Sequence, residues 1–181
     1  MKILRNKKGF TLVEILLVVG FIALASIGIY AVYNKVNTSY KAQKTFTQMR
    51  VMWSGVENLF GNTTSTWGLN NTVLINAKIA PEDMVDTATN TLVNPFGGSV
   101  RVLSTAGKGF AFVYLGIPGD ACVKIGAAAA AANIYFGVGG DGWAGSTNIY
   151  SPYYVYDTTR LAVACNQDTG SGVGMNFRSL Q

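Results

Sequence analysis

The chain has 181 residues, a formal net charge of +5 and only 13% charged residues, so it is long enough for one domain with a core and too apolar to be disordered by composition. It has no histidine, which excludes Ser-His and Cys-His catalytic pairs and removes the commonest metal ligand. Its two cysteines cannot form a four-ligand zinc site.

At the N-terminus, a basic segment is followed by a separate apolar segment. Lys2, Arg5, Lys7 and Lys8 place four cations in the first nine residues, whereas the rest of the chain has 10 basic and 9 acidic residues. Residues 15–33 then form a run of 19 residues without charge. As a helix, this run would rise about 28 Å, close to the thickness of the hydrocarbon core of a bilayer. Basic residues before such a run predict that the first nine residues lie on the cytoplasmic side of the membrane.

Glu14 is an acid inside the apolar segment. A carboxylate near the membrane core costs several kcal/mol unless it is paired, which marks Glu14 as a functional candidate; the plain alternative is an interfacial residue. A secretory signal peptide would have a shorter apolar core followed by a small-residue cleavage site. Here the run is longer, and the small residue, Gly9, precedes it.

The sequence K-K-G-F-T-L-V-E at residues 7–14, followed by the apolar run, resembles the N-terminus of type IV prepilins and related pseudopilins. The resemblance implies that a prepilin peptidase cuts between Gly9 and Phe10 and methylates the new amine of Phe10. It also implies that Glu14 pairs with the N-terminal amine of a neighbouring subunit in the filament. The expected domains are a leader peptide at 1–9, a transmembrane and filament-core helix at 10–34, and a globular pilin domain at 35–181.

The helix is predicted to continue beyond the apolar run. Residues spaced 4, 3, 4, 3 and 4 apart form an apolar stripe for one helix face: Ala42, Phe46, Met49, Trp53, Val56 and Phe60. Gly61-Asn62 is a good helix C-cap, and no proline interrupts residues 10–60. We therefore expect one helix from Phe10 to Phe60, with an amphipathic part at 35–60 that packs on the globular domain.

The remaining chain indicates an α+β fold. Residues 99–104 and 109–116 are β-prone and are joined by a short turn, which predicts an antiparallel hairpin. Residues 118–132 contain six consecutive alanines and predict a helix. Further strands are expected within 150–164 and 173–179. The hairpin and the lack of repeated helical crossovers favour an antiparallel sheet.

The body carries a second resemblance. N-P-F-G-G at residues 94–98, G-I-P-x-x-A-C at 116–122 and A-C-N at 164–166 resemble the type IVb pilins, the subunits of toxin-coregulated, bundle-forming and conjugative thin pili. This resemblance implies a long helix laid on an antiparallel sheet. The nine-residue leader and Phe10 look instead like the type IVa subclass, so the subclass stays open on sequence.

Cys122 and Cys165 are expected to form a disulfide, because the domain after the span should lie in an oxidising compartment and the cysteine count is even. In type IV pilins such a bridge bounds a surface-exposed C-terminal region.

Other segments have plain interpretations beside functional ones. Residues 137–145 are glycine-rich but lack the Gly-Lys-Ser/Thr of a phosphate loop, which favours a surface loop. The tyrosines of 150–156 suit strand packing or, alternatively, adhesion and subunit contacts. A calcium site from Asp141, Asp157 or Asp168 does not match the spacing of an EF-hand loop. DNA binding would draw on the basic residues Arg101, Lys108, Lys124, Arg160 and Arg178.

Taken together, these features predict no enzyme, no cofactor and no metal, but a type IV pilus subunit that polymerises with itself for adhesion, aggregation or conjugation. Its expected partners are the prepilin peptidase, the pilus assembly machinery of the inner membrane, and a host cell, a recipient cell or DNA at the pilus surface. The precursor is expected in the bacterial inner membrane and the product in an extracellular filament. The alternatives are a minor pilin and a type II secretion pseudopilin.

Overall fold

The computed structural model of the chain describes residues 9–105, 107–140, 146–150, 155–167 and 170–179. The chain divides into two compact units, Met1–Asn37 and Thr38–Gln181. Helix α1 covers Leu12–Phe60, 49 residues, which confirms the predicted helix except for its first two residues. Its residues up to Asn37 belong to the first unit, and those from Thr38 belong to the second.

Short helices and strands follow α1 in the second unit. The helices are α2 (Asn71–Asn76), a 3₁₀ turn (Glu82–Met84), α3 (Gly119–Ala131) and α4 (Thr158–Cys165). The strands are β1 (Val85–Asp86), β2 (Thr91–Val93), β3 (Ser99–Ser104), β4 (Phe110–Ile117), β5 (Tyr135–Val138), β6 (Thr147–Asn148) and β7 (Val173–Arg178). Within the described residues they form one seven-stranded sheet in the order β1-β2-β3-β4-β7-β5-β6.

All the strand pairs of this sheet are antiparallel, so the predicted α+β class with an antiparallel sheet is confirmed. The predicted hairpin is β3–β4, with Val102 opposite Phe112. From this pair a row of facing residues continues across the sheet, because Phe112 lies opposite Phe177 and Phe177 lies opposite Phe136. These aromatic side chains are at most 1% exposed and form the centre of the core.

The second half of α1 packs on this core through a wider face than the sequence stripe predicts. Met49, Met52 and Val56 are buried, and the Trp53 ring meets the Phe110 ring edge-on at 4.8 Å between centroids. Two polar side chains are also buried. The hydroxyl of Thr45 donates to the Lys41 carbonyl at 2.8 Å, and Gln48 Nε2 donates to Asp83 at 3.0 Å. Polar residues can share this face because these donors are satisfied.

The turn at residues 94–98 is organised by one buried side chain. Asn94 Oδ1 accepts from the backbone N–H of Phe96 and of Gly98, and Asn94 Nδ2 donates to the Leu115 carbonyl at 2.8 Å. Glycine is required at Gly98, because an added Cβ would meet the backbone of Leu115. The sequence predicts the turn, and the structure adds that the turn is tied to β4.

Two predictions for the C-terminal third are wrong. Residues 158–165 form helix α4 and not a strand. Asp157 caps this helix by accepting from the N–H of Thr159 and Arg160, and Leu161, Ala164 and Cys165 repeat at helical spacing on its buried face. The glycine-rich segment is not a surface loop throughout, because its first residues, Gly137 and Val138, form the buried end of β5.

Candidate processing and assembly site

The predicted cleavage position lies just before the first helix. Gly9 and Phe10 are exposed, and Phe10 retains 82% of its accessible surface. A Cβ built on Gly9 meets nothing within 4 Å, so the fold itself does not require glycine there. Any requirement for glycine must come from an outside partner. The basic leader residues Lys2, Arg5, Lys7 and Lys8 lie outside the described residues.

Glu14 caps its own helix. Its Oε2 accepts from the backbone N–H of Thr11 at 3.2 Å and from the Thr11 hydroxyl at 3.2 Å. In return, the Thr11 hydroxyl oxygen accepts from the Glu14 N–H at 3.3 Å. This reciprocal arrangement is a capping box, and an acid in the first turn also suits the helix dipole.

Sequence reasoning identified Glu14 but missed Thr11. The signal was present, since Thr followed three residues later by Glu, just before an apolar run, is the pattern of a capping box. Thr11 holds the carboxylate beside the first turn of α1, next to the position where Phe10 would become the N-terminal residue.

The apolar run is not covered by any of the described residues of its own unit. Large apolar side chains from Leu12 to Val36 are more than half exposed on every side of the helix. The hydroxyl of Ser26, in the middle of the run, donates to the Ile22 carbonyl at 2.8 Å, so it is satisfied by the helix itself. Within the described residues, α1 is the helix whose length and composition allow it to cross a membrane. Such a surface suits lipid or other apolar helices.

The structure contains the predicted disulfide. Cys122 and Cys165 are bonded, with their Cα atoms 5.7 Å apart, and the bridge joins α3 to α4. Both cysteines are at most 1% exposed. The helices approach closely because α3 has Gly126 where an added Cβ would collide with Leu161 of α4. The disulfide and this contact together fix α4 against the core.

The tyrosines behave mainly as core residues where they are described. Tyr150 is 9% exposed, its hydroxyl donates to the Ile134 carbonyl at 2.7 Å, and its ring stacks on Tyr135 at 4.7 Å between centroids. Burial raises the pKa of Tyr150 to about 12 and also raises the pKa of Tyr156. Residues 151–154 lie outside the described residues.

The described residues give little support to the hypotheses of a metal site and of DNA binding. Asp157 is used as the cap of α4 and pairs with Arg160 at 3.3 Å, while Asp141 and Asp168 lie outside the described residues. Among the described residues, no three acids, cysteines or histidines are grouped so that they could hold a metal ion. Four of the five basic residues considered for DNA lie on four different elements, Arg101 on β3, Lys124 on α3, Arg160 on α4 and Arg178 on β7, and Lys108 lies in the turn before β4.

Comparisons with known proteins agree on one class. A family model described as PilS N terminal matches residues 39–173. Two curated relatives, each named as the major structural subunit of the bundle-forming pilus, come from Escherichia coli O127:H6 (strain E2348/69 / EPEC) and Escherichia coli O111:H-. Each is 31% identical over 115 residues, which is 62% of this chain, and the chain spans 59% of the length of each relative.

A solved structure shares the fold. The crystal structure of a type IVb pilin from Salmonella typhi superposes with a TM-score of 0.55 at 19% identity. The match covers 74% of this chain and 95% of that one.

Proposed function

The chain belongs to the PilS N-terminal family and has the fold of a type IVb pilin, and from that premise we propose that it is a structural subunit that polymerises into a pilus. The observation that carries the proposal is the contrast within α1. Its first part is apolar and exposed all round, while its second part is buried on a sheet held by a disulfide. None of the described residues covers this first part, so it needs an apolar environment from outside.

Before assembly, that environment is the inner membrane. The run at 15–33 spans the bilayer with the basic leader inside, so the globular domain lies outside the cytoplasm. An oxidising compartment there is consistent with the disulfide. After processing and with the help of the assembly machinery, the apolar helix exchanges lipid for the helices of other copies, and the product is an extracellular filament.

Processing and assembly use neighbouring residues. Prepilin peptidase cuts after Gly9 and methylates the amine of Phe10, which places a positive charge next to an apolar helix. In a filament core without water, this amine and the Glu14 carboxylate must pair. The Glu14 carboxylate contacts Thr11 through Oε2. Because a carboxylate accepts through both oxygens, Oε1 can bind the amine of a neighbouring copy while Oε2 keeps the cap.

The decisive substitution is Glu14→Val. We expect correct cleavage but a loss of filaments of about a hundredfold or more, since removing one partner of a buried ion pair costs about 3–5 kcal/mol. Filaments are counted by electron microscopy, and cleavage is followed by the intact mass of the subunit. Glu82→Val makes the same change at an exposed acid of the second unit and should leave filaments normal. Normal filaments with Glu14→Val would refute the pairing.

Cleavage is tested separately at Gly9. Gly9→Leu should leave the subunit folded, because no described atom lies within 4 Å of a Cβ at this position, and should retain the nine-residue leader. Wild-type processing of this variant would contradict the proposed cut.

Cells that lack the chain distinguish its rank in the filament. The relatives are named as major subunits, and we propose the same rank here. External fibres should disappear without the chain and return on complementation. Unchanged fibres would indicate a minor pilin or a type II secretion pseudopilin instead.

A further inference from the structure

A groove lies between α1 and α3 in the second unit, away from Gly9 and Glu14 in sequence. It encloses about 490 Å³, a size typical of small-molecule sites. Its apolar lining includes Ala42 and Phe46 of α1 and Ile125 and Ala128 of α3. Ala42 and Ile125 are at most 3% exposed, so they belong to the core and form a fixed floor.

The rim of this groove is cationic and polar. Lys124 lines it with an exposed side chain, and its Nζ donates to the hydroxyl of Ser39 at 2.8 Å. An ammonium group has three donors, so this contact leaves Lys124 able to bind an anion as well. The groove thus combines an apolar floor with a cation at its edge, which is the complement of an amphiphile with an anionic head.

The surrounding sequence has the same sign of charge. Residues 35–50 contain Lys35, Lys41, Lys44 and Arg50 and no acid. Lys44 is paired with Asp83 at 2.6 Å, and Lys41 lies 5.8 Å from the centre of the Phe96 ring. Basic side chains near a membrane surface attract anionic lipid headgroups.

The groove is also within reach of the bilayer. Ser39 follows Tyr33, the last residue of the charge-free run, by six residues. Six residues extend at most about 20 Å in any conformation. When the run spans the membrane, the rim of the groove can therefore meet the lipid headgroups.

We propose that this groove binds an anionic phospholipid of the membrane in which the subunit is anchored before assembly. One acyl chain lies along Phe46 and Ala128, above the floor of Ala42 and Ile125, and the phosphate contacts Lys124 and Ser39. This inference rests on the proposed function only in placing the unassembled subunit in a bilayer.

The test uses the full-length chain in a mild detergent. Phosphatidylglycerol, or zwitterionic phosphatidylcholine as the reference, is titrated in, and bound lipid is measured by native mass spectrometry. Wild-type protein should retain one phosphatidylglycerol in preference to phosphatidylcholine. Lys124→Gln should weaken phosphatidylglycerol binding about fivefold, the effect of one basic side chain near an anionic surface. Lys108→Gln removes an exposed lysine outside the groove and should change nothing.

A second variant tests the apolar floor. Ala128→Leu fills the groove without altering charge and should weaken the binding of both lipids, with the melting temperature of the protein as the check on folding. A photoreactive group on the acyl chain of phosphatidylglycerol should label peptides that contain Phe46 or Ala128.

Several results would overturn the inference. One is equal phosphatidylglycerol binding by the Lys124→Gln and Lys108→Gln variants, and another is photolabelling confined to residues 15–33. The others are full displacement of the lipid by inorganic phosphate, and a groove that is protected from the photoreactive lipid only when a second copy of the chain is bound. None of these results depends on filaments. A failure here therefore leaves the Glu14 experiment intact, and a failure at Glu14 leaves lipid binding intact.

Discussion

Phe21 and Phe112 carry the same side chain in opposite circumstances. Phe21, in the first unit, is 66% exposed, whereas Phe112, in the second, is fully buried in the aromatic row of the sheet. In the described part of the first unit, the helix hydrogen-bonds its own backbone, but its large apolar side chains stay exposed. The second unit buries most of its large apolar side chains in a core of its own. The difference teaches that stability and assembly are assigned to separate parts of the molecule.

The sharpest test of this contrast is truncation of both phenylalanines. Phe112→Ala should lower the free energy of unfolding of the second unit by about 3–5 kcal/mol, the usual cost of emptying a core site of this size. Phe21→Ala should leave that unfolding unchanged, because its ring meets no core. Denaturant unfolding of the detergent-solubilised chain measures both. Similar losses in the two variants would mean that the units do not unfold separately.

The disulfide is the next largest contribution to the second unit. Replacing Cys122 and Cys165 by serine should cost about 4 kcal/mol, since the bridge closes a loop with a sequence separation of 43. The melting temperature with and without reductant gives the same comparison in the wild type. An unchanged melting temperature under complete reduction would show that the bridge does not support the fold. Processing at Gly9 should be unaffected.

Replacing each of two buried tyrosines by phenylalanine should change the stability of the second unit in opposite directions. Among the described residues, the fully buried Tyr114 hydroxyl has no hydrogen-bond partner, and burial raises its pKa well above the usual range. Tyr114→Phe should therefore stabilise the second unit by about 1 kcal/mol. Tyr150→Phe removes the bond to the Ile134 carbonyl and should destabilise it by about 1 kcal/mol. Equal losses in both variants would mean that Tyr114 has a partner.

The smallest effect on stability is expected from the ion pair between Lys44 and Asp83. The hydrogen bond from Lys44 lowers the pKa of Asp83 below 3.8. A carboxyl with a lowered pKa stabilises the fold above its unfolded pKa, and this stabilisation is lost as the pH falls through the folded pKa. The Asp83 hydrogen bond raises the pKa of Lys44 above 10.5, so its stabilisation persists to that pH and is lost above it.

Because both side chains are more than a third exposed, solvent screens the pair and the change should be slight. Thermal unfolding from pH 6 down to pH 3 should show a slightly steeper loss for the wild type than for Asp83→Asn. A steeper loss for the variant would reverse the assignment.

Much of the fold could be read from local pattern. The α1 helix has no proline and a clear stripe, β3 and β4 are short β-prone runs around a turn, and the alanine run became α3. These elements are determined by periodicity and propensity, which act over a few residues. The disulfide followed from compartment and cysteine count. The helix at residues 158–165 does not stand out by propensity because β-prone residues precede it, and its local signal is the capping residue Asp157.

The sequence by itself determined that one end of the chain is a membrane-competent helix with Glu14 as the acid of its apolar part, and that the other end has a core. Only the tertiary structure decided which residues share that core. It paired Phe112, Phe177 and Phe136 across β4, β7 and β5, which are distant in sequence, and it placed Lys124 beside Ser39 at the rim of a groove. Strand order and helix contacts depend on burial summed over the whole domain, and no local pattern records that sum.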